Sequence, residues 1–316
     1  TIALYAFTGW LIALERTRAV LVLQLVMNGL NVGLDLWFVL GLGWGVKGVA
    51  AATLIAELSG LVLALWLARA ALVPGLSRAV ILAAAPLKQM ARVNTDIMIR
   101  SVILQGSFTA FLFLGAAQGD VKLAANQVLL QFLQITAYAL DGFAFAAETL
   151  VGQAVGARAP RSLRCAAVVA SHWGLAGAAL LSIAFLIFGG AIIDMMTTAP
   201  EVRDTARAYL PWIGLAPLLG IAAWMFDGIF IGATLTREMR NAMLVSVILY
   251  IAALCVLIPA FGNHGLWAAL MVLNLARGVT MARLYPRAEA KAAPAQGGRC
   301  PPLSCAHSPP GIFGAR

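Results

Sequence analysis

The interior of a bilayer offers no water to bond a peptide group, so a chain that crosses it repeatedly must do so as helices or as a closed barrel. This sequence repeats long apolar runs between short basic or glycine-rich turns. The runs at residues 19–40, 49–67, 97–117, 123–156, 165–193, 208–235, 242–261 and 266–282 are each long enough for a spanning helix and too long for barrel strands. Residues 1–14 are apolar but short and read as the end of a cut helix. Composition agrees: 62% of residues are hydrophobic, 11% are charged, and the mean hydropathy is +0.90. The expected fold class is all-α, a polytopic membrane protein with eight full transmembrane helices and a partial one.

Polar residues inside these runs are ordered. Between residues 123 and 156, Gln127, Gln131, Gln134, Tyr138, Asp141 and Glu148 fall at i, i+4, i+7, i+11, i+14 and i+21. At about 100° per residue they share one helix face. Asp141 and Glu148 are two turns apart, about 10 Å. A carboxylate facing lipid costs about 2.5–3.5 kcal/mol, so this face looks at protein or water. It is either a seam that glues helices together or the wall of a solute pathway. Residues 19–40 carry a similar stripe of Gln24, Asn28, Asn31 and Asp35 at i, i+4, i+7 and i+11. Asn31 and Asp35 are one turn apart, so the amide can bond the carboxyl or share a cation with it. An inter-helix polar contact is the structural alternative.

Four further charges lie inside spans: Glu57, Arg100, Asp227 and Arg277. Asp227 is followed by Gly228, as Asp141 is by Gly142, and glycine admits a close backbone or ligand. Arg100 either snorkels to the membrane surface or pairs with Asp141, Glu148 or Asp227. Glu57 has no polar stripe around it and reads as a structural partner.

Most of the 22 basic residues lie in alternate turns, at Arg16 and Arg18, Arg158 to Arg164, Arg237 and Arg240, and in the tail. The opposite turns hold few, among them Lys47 and Lys122. The basic side, with the C-terminus, is expected in the cytoplasm. The net charge of +9 is therefore a topology signal, and no nucleic-acid partner is expected. Four cysteines and three histidines show no metal-ligand spacing. No H-E-x-x-H, G-x-S-x-G or P-loop is present, so the chain is not expected to be an enzyme, and no cofactor or metal is implied beyond a coupling H⁺ or Na⁺. No signal peptide is read ahead of the first apolar run.

A shift of 220 residues superposes Gly45 on Gly265 and the basic turns before them nearly so. Both basic turns are on the same side, as in a parallel repeat of two lobes. The shift carries Gln24, Asn28, Asn31 and Asp35 onto Leu244, Ile248, Ile251 and Cys255, so the first stripe is not repeated. The organisation read from this is the end of an N-terminal lobe (1–68), a cytoplasmic connector broken by Pro74 and Pro86 (69–96), a six-helix C-terminal lobe (97–285) and a disordered tail (286–316). A matching first lobe would need three to four more helices before Thr1.

NGLNVGLDLWFVLGLGWGVKGVAAATLIAE (28–57) resembles the fifth and sixth helices of multidrug and toxic compound extrusion (MATE) transporters, and residues 123–157 resemble their eighth. FDGIFIGATLTREMRNAM (226–243) and FGNHGLW (261–267) are similar to the branch named after the DNA-damage-inducible protein F. The resemblance covers nearly all of residues 1–285. It implies twelve helices in two lobes around a central cavity, driven by inward H⁺ or Na⁺, in the inner membrane. It also implies that Asn31 and Asp35 match the asparagine and aspartate of the fifth helix that act with a carboxylate on the first. The expected coupling residues are Asp35, Asn31 and Asn28, with Na⁺ at Asp35 and Asn31 as one option. The expected cavity residues are Gln127, Gln131, Tyr138, Asp141, Glu148, Asp227 and Arg100. The expected partners are the bilayer and small amphipathic, cationic organic substrates, handled by a monomer. A lipid-linked flippase and an inactive fragment are the alternatives.

Overall fold

The structure is a computed structural model that describes residues 2–14, 16–69 and 83–293. These residues are helical and contain no strand. Among the described residues, eight helices are long and apolar enough to cross a membrane. The chain divides between Ala84 and Ala85 into two compact units.

The first unit holds α1 (Ile2–Ala13), α2 (Thr17–Asp35), a π-helical turn (Leu36–Gly41) and α3 (Val46–Ala68). α3 buries Gly48, Ala52, Ala56, Gly60, Ala64 and Ala68, one small residue at every fourth position. Small side chains on one face let helices approach closely in lipid, where no hydrophobic force pulls them together. Met27 of α2 lies directly over Gly60, and Leu4, Leu11, Leu23 and Ala64 form the core. The π turn starts where the stripe ends, directly after Asp35. Its wider bonding is seen in the Leu42 N–H donating to the Trp37 carbonyl at 2.9 Å. Gly43 and Gly45, both with positive φ, then reverse the chain into α3.

The second unit holds α4 (Ala84–Ala116), α5 (Asp120–Gly156), α6 (Pro160–Met196), α7 (Pro200–Gly232), α8 (Thr236–Phe261) and α9 (Asn263–Ala292). α7 runs unbroken through Pro211 and Pro217. α5 and α7 cross at backbone contact. A Cβ on Gly228 would stand 2.2 Å from the Ala144 carbonyl oxygen, and one on Gly232 would stand 2.3 Å from that of Glu148. Only glycine fits at either place. At one end of the unit, Asn126 and Asn263 bond each other reciprocally at 2.8 and 3.0 Å, and Trp267 donates to the same Asn126 oxygen. Toward the other end, buried Asp96 accepts from Arg240 at 2.5 Å. Arg164 grips Glu289 through two parallel bonds of 2.8 and 2.9 Å.

Several sequence boundaries are corrected. α4 begins at Ala84 rather than 97, because Pro86 sits in its first turn, where proline has no bond to break. Arg203 and Arg207 belong to the first turns of α7, and Asn263 to the first turn of α9. Residues 286–292, expected to be disordered, continue α9. They are alanine-rich, bury Ala288 and Ala292, and are tied down by Glu289 and Lys291. The rest of the expected tail (294–316) and of the connector (70–82) lies outside the described residues.

Candidate functional site

The α5–α7 crossing sets the site. Because Gly228 brings the two backbones together, Asp227 stands beside the polar face of α5. The two helices, with α4 and α9, enclose a cavity of about 640 Å³. Its polar wall on α5 comprises Gln131, Gln134, Asp141 and Glu148. Arg100 and Gln105 come from α4, Asp227 from α7, and Asn274 and Arg277 from α9. Phe108, Phe145 and Trp224 supply apolar surface. A cavity of this size with apolar walls and a few convergent charges suits a small organic molecule.

Three charges meet at one point. The Oδ2 atom of Asp227 accepts from the Arg277 guanidinium at 2.6 Å and from that of Arg100. All three side chains are largely buried, at 6% exposure for Arg277, 12% for Asp227 and 14% for Arg100. Arg100 therefore pairs rather than snorkels. The trio is not closed. Asp227 Oδ1 and Arg100 Nε are buried without hydrogen-bond partners among the described residues. Asp141 and Glu148 are half-buried in the same cavity and form no hydrogen bond among the described residues.

Five expected cavity residues are thus brought together: Gln131, Asp141, Glu148, Asp227 and Arg100. Two are not. Gln127 lies on α5 before the first lining residue, Leu130, and is exposed. Tyr138 is 71% exposed and outside the lining. Both share the stripe's face, but the cavity spans only part of the face. Arg277 belongs to no polar stripe or motif in the sequence. Its sole sequence signal was being one of two arginines within apolar runs.

In the first unit, Asn28 donates to Gln24 at 3.4 Å, and Asn31 donates to Thr53 at 3.4 Å rather than to Asp35. Thr53 in turn bonds the Val49 carbonyl. Asp35 is half-buried, and its Oδ1 is enclosed without a hydrogen-bond partner among the described residues.

A MatE family profile matches residues 97–257. The chain belongs to the MatE family. The MatE chain is 39% identical over 282 residues to DNA damage-inducible protein F of Escherichia coli (strain K12), covering 88% of this chain and 61% of that protein. It is 27% identical over 326 residues to a probable multidrug resistance protein NorM of Pseudomonas aeruginosa, covering 93% and 65%. Its fold matches a Vibrio cholerae MATE transporter, VcmN, in the bent form, with a TM-score of 0.81 at 18% identity over 92% of this chain and 66% of that one. The family membership and all-α membrane fold expected from the sequence hold. MatE proteins are transporters, not enzymes. This chain spans less than two thirds of the length of the curated relatives it matches.

Proposed function

We propose that this MatE chain serves a cation-coupled efflux antiporter of the bacterial inner membrane, moving small amphipathic organic molecules by alternating access between two lobes. The observation that carries the reading is the cavity of about 640 Å³ with two carboxylates, Asp141 and Glu148, that form no hydrogen bond among the described residues and stand among apolar side chains. A basic nitrogen on a substrate is attracted to this wall, and the aromatic side chains receive its apolar part. Coupling to H⁺ or Na⁺ is assigned to Asp35, with Asn31 and Asn28 on the same helix face. Asp227 is a poor candidate for that role, because an incoming Na⁺ would have to displace two guanidiniums from it. Asp35 has an enclosed carboxylate oxygen without a partner among the described residues, which leaves it free to take a proton or cation. The basic turns face the cytoplasm, and the protein acts as a monomer.

The test is pH-jump transport of a cationic dye by the full-length protein in proteoliposomes, from pH 5 to 8. Asp35→Asn should insert normally but lose gradient-driven transport, since coupling needs two states with different affinities. Asp35→Glu should retain part of it at a shifted pH optimum. Coupling like that of the unsubstituted protein in Asp35→Asn would move the coupling site elsewhere. A lipid-linked flippase is the second reading, because two arginines line the cavity. They share one carboxylate, however, and one net positive charge is a weak match for a pyrophosphate.

A further inference from the structure

We infer that a second pocket, at the basic end of the second unit between α4, α8 and α9, binds the phosphate group of an anionic phospholipid. The site is separate from the central cavity and goes beyond the transport reading. It encloses about 320 Å³. Its charged lining is Arg92 and Asp96 of α4, Arg237 and Glu238 of α8, and Lys291 of α9.

The charges in this lining do not cancel. Each carboxylate has an arginine of its own from outside the lining. Asp96 accepts from Arg240 at 2.5 Å, and Glu238 stands 3.7 Å from Arg287. Three lining cations are left over. Arg92 and Arg237 form no hydrogen bond or ion pair among the described residues. Lys291 is seated by the turn between α7 and α8. Its ammonium donates to the Thr234 carbonyl at 3.1 Å and to the Thr234 hydroxyl. An ammonium has three N–H donors, so one remains for a ligand. Two guanidiniums and an ammonium from three helices suit a phosphate, which offers an oxygen to each.

Depth selects the source of that phosphate. The apolar run of α4 begins at residue 97 and that of α8 at residue 242, so Arg92 and Arg237 each stand five residues outside their runs. At 1.5 Å per residue that is about 8 Å beyond the hydrocarbon, at the level of the lipid headgroups. Lys291 is farther along α9, but its bonds to Thr234 draw the ammonium back toward that level. A soluble phosphate could use the same donors. A phospholipid already carries its phosphate at this depth, and basic pockets between spanning helices bind such headgroups. A lipid held here joins α4 to α8 and α9, beside the Asp96–Arg240 pair.

The test is native mass spectrometry of the full-length protein with equal amounts of dioleoylphosphatidylglycerol and dioleoylphosphatidylcholine, which share chains and differ in headgroup charge. The anionic lipid should be retained in at least about twenty-five-fold preference, about fivefold for each of the two arginines. Arg92→Gln and Arg237→Gln should each lower that preference about fivefold. Neither arginine has a partner to lose, so both variants should fold. Arg161→Gln removes a cation from the same side of the membrane but outside the pocket, and it should leave the preference unchanged. Equal retention of the two lipids would overturn the site. A fall in Arg161→Gln as large as in the pocket variants would also overturn it, leaving a general attraction to the basic side. Excess inorganic phosphate should not displace the lipid. Displacement would give the pocket to a soluble anion and overturn the lipid assignment.

Discussion

Asp227→Asn removes the one negative charge that holds two arginines together, and the cost can be worked from the site. The Arg100 and Arg277 nitrogens bond the same oxygen, so they lie within about 5–6 Å of each other. At an effective dielectric constant of about 20, two like charges at that separation repel by roughly 3 kcal/mol. Each guanidinium also loses its attraction to the carboxylate. Breaking a buried pair by removing one partner costs about 3–5 kcal/mol. The shared carboxylate puts Asp227→Asn at the upper end of that range. Thermal or chemical denaturation in detergent should show the loss. The double variant Asp227→Asn/Arg277→Gln should recover part of it, because the second substitution removes the repulsion. An Asp227→Asn protein within about 1 kcal/mol of the unsubstituted one, or a double variant whose losses simply add, would refute the view that repulsion dominates.

Gly228→Ala and Gly232→Ala each drive a Cβ into a backbone carbonyl, which cannot swing aside, so each should lower stability by about 1–3 kcal/mol in the same denaturation assay. Asp141→Asn should reduce efflux of a cationic dye from cells while leaving membrane abundance unchanged; a parallel fall in both would mean that the carboxylate only holds helices together. Arg164→Ala should free the end of α9, seen as faster hydrogen exchange at residues 286–292, because the forked bond to Glu289 is its main polar tether. Single cysteines placed between Arg158 and Arg164 should resist an impermeant thiol reagent in intact cells and one at Lys122 should react, with the reverse labelling contradicting a cytoplasmic basic side.

Much of the architecture was legible because lipid leaves a chain few choices. Apolar length gives the spans, and the helical period put Asp141 and Glu148 on one face, where the cavity has them. Boundaries were less legible. The apolar runs mark what lies in hydrocarbon, whereas helices such as α4 and α9 extend well past it through polar segments. Partnerships between distant residues were hidden. Asp227 meets Arg277 and Arg100 across 50 and 127 residues, and no local pattern records such a meeting. Asn31 illustrates the opposite error: one-turn spacing suggested Asp35, but a threonine on the neighbouring helix competes for its amide. The π turn after Asp35 has no sequence signature in its apolar residues.

The way the cavity is walled also says which side of it can move. α5 and α7 touch backbone to backbone at Gly228 and Gly232, with no side chains between them to rotate or slide. That pair behaves as the fixed jaw of a vice. α4 is attached differently, by side chains: Phe111 edge-on to Trp267 at 4.8 Å, Asp96 to Arg240, and Arg100 to Asp227. Side-chain attachments can change rotamer and partner at modest cost, so widening of the cavity falls to α4. Arg100 is on α4 and Asp227 on the fixed pair, so an opening of the cavity at α4 would have to stretch their bond.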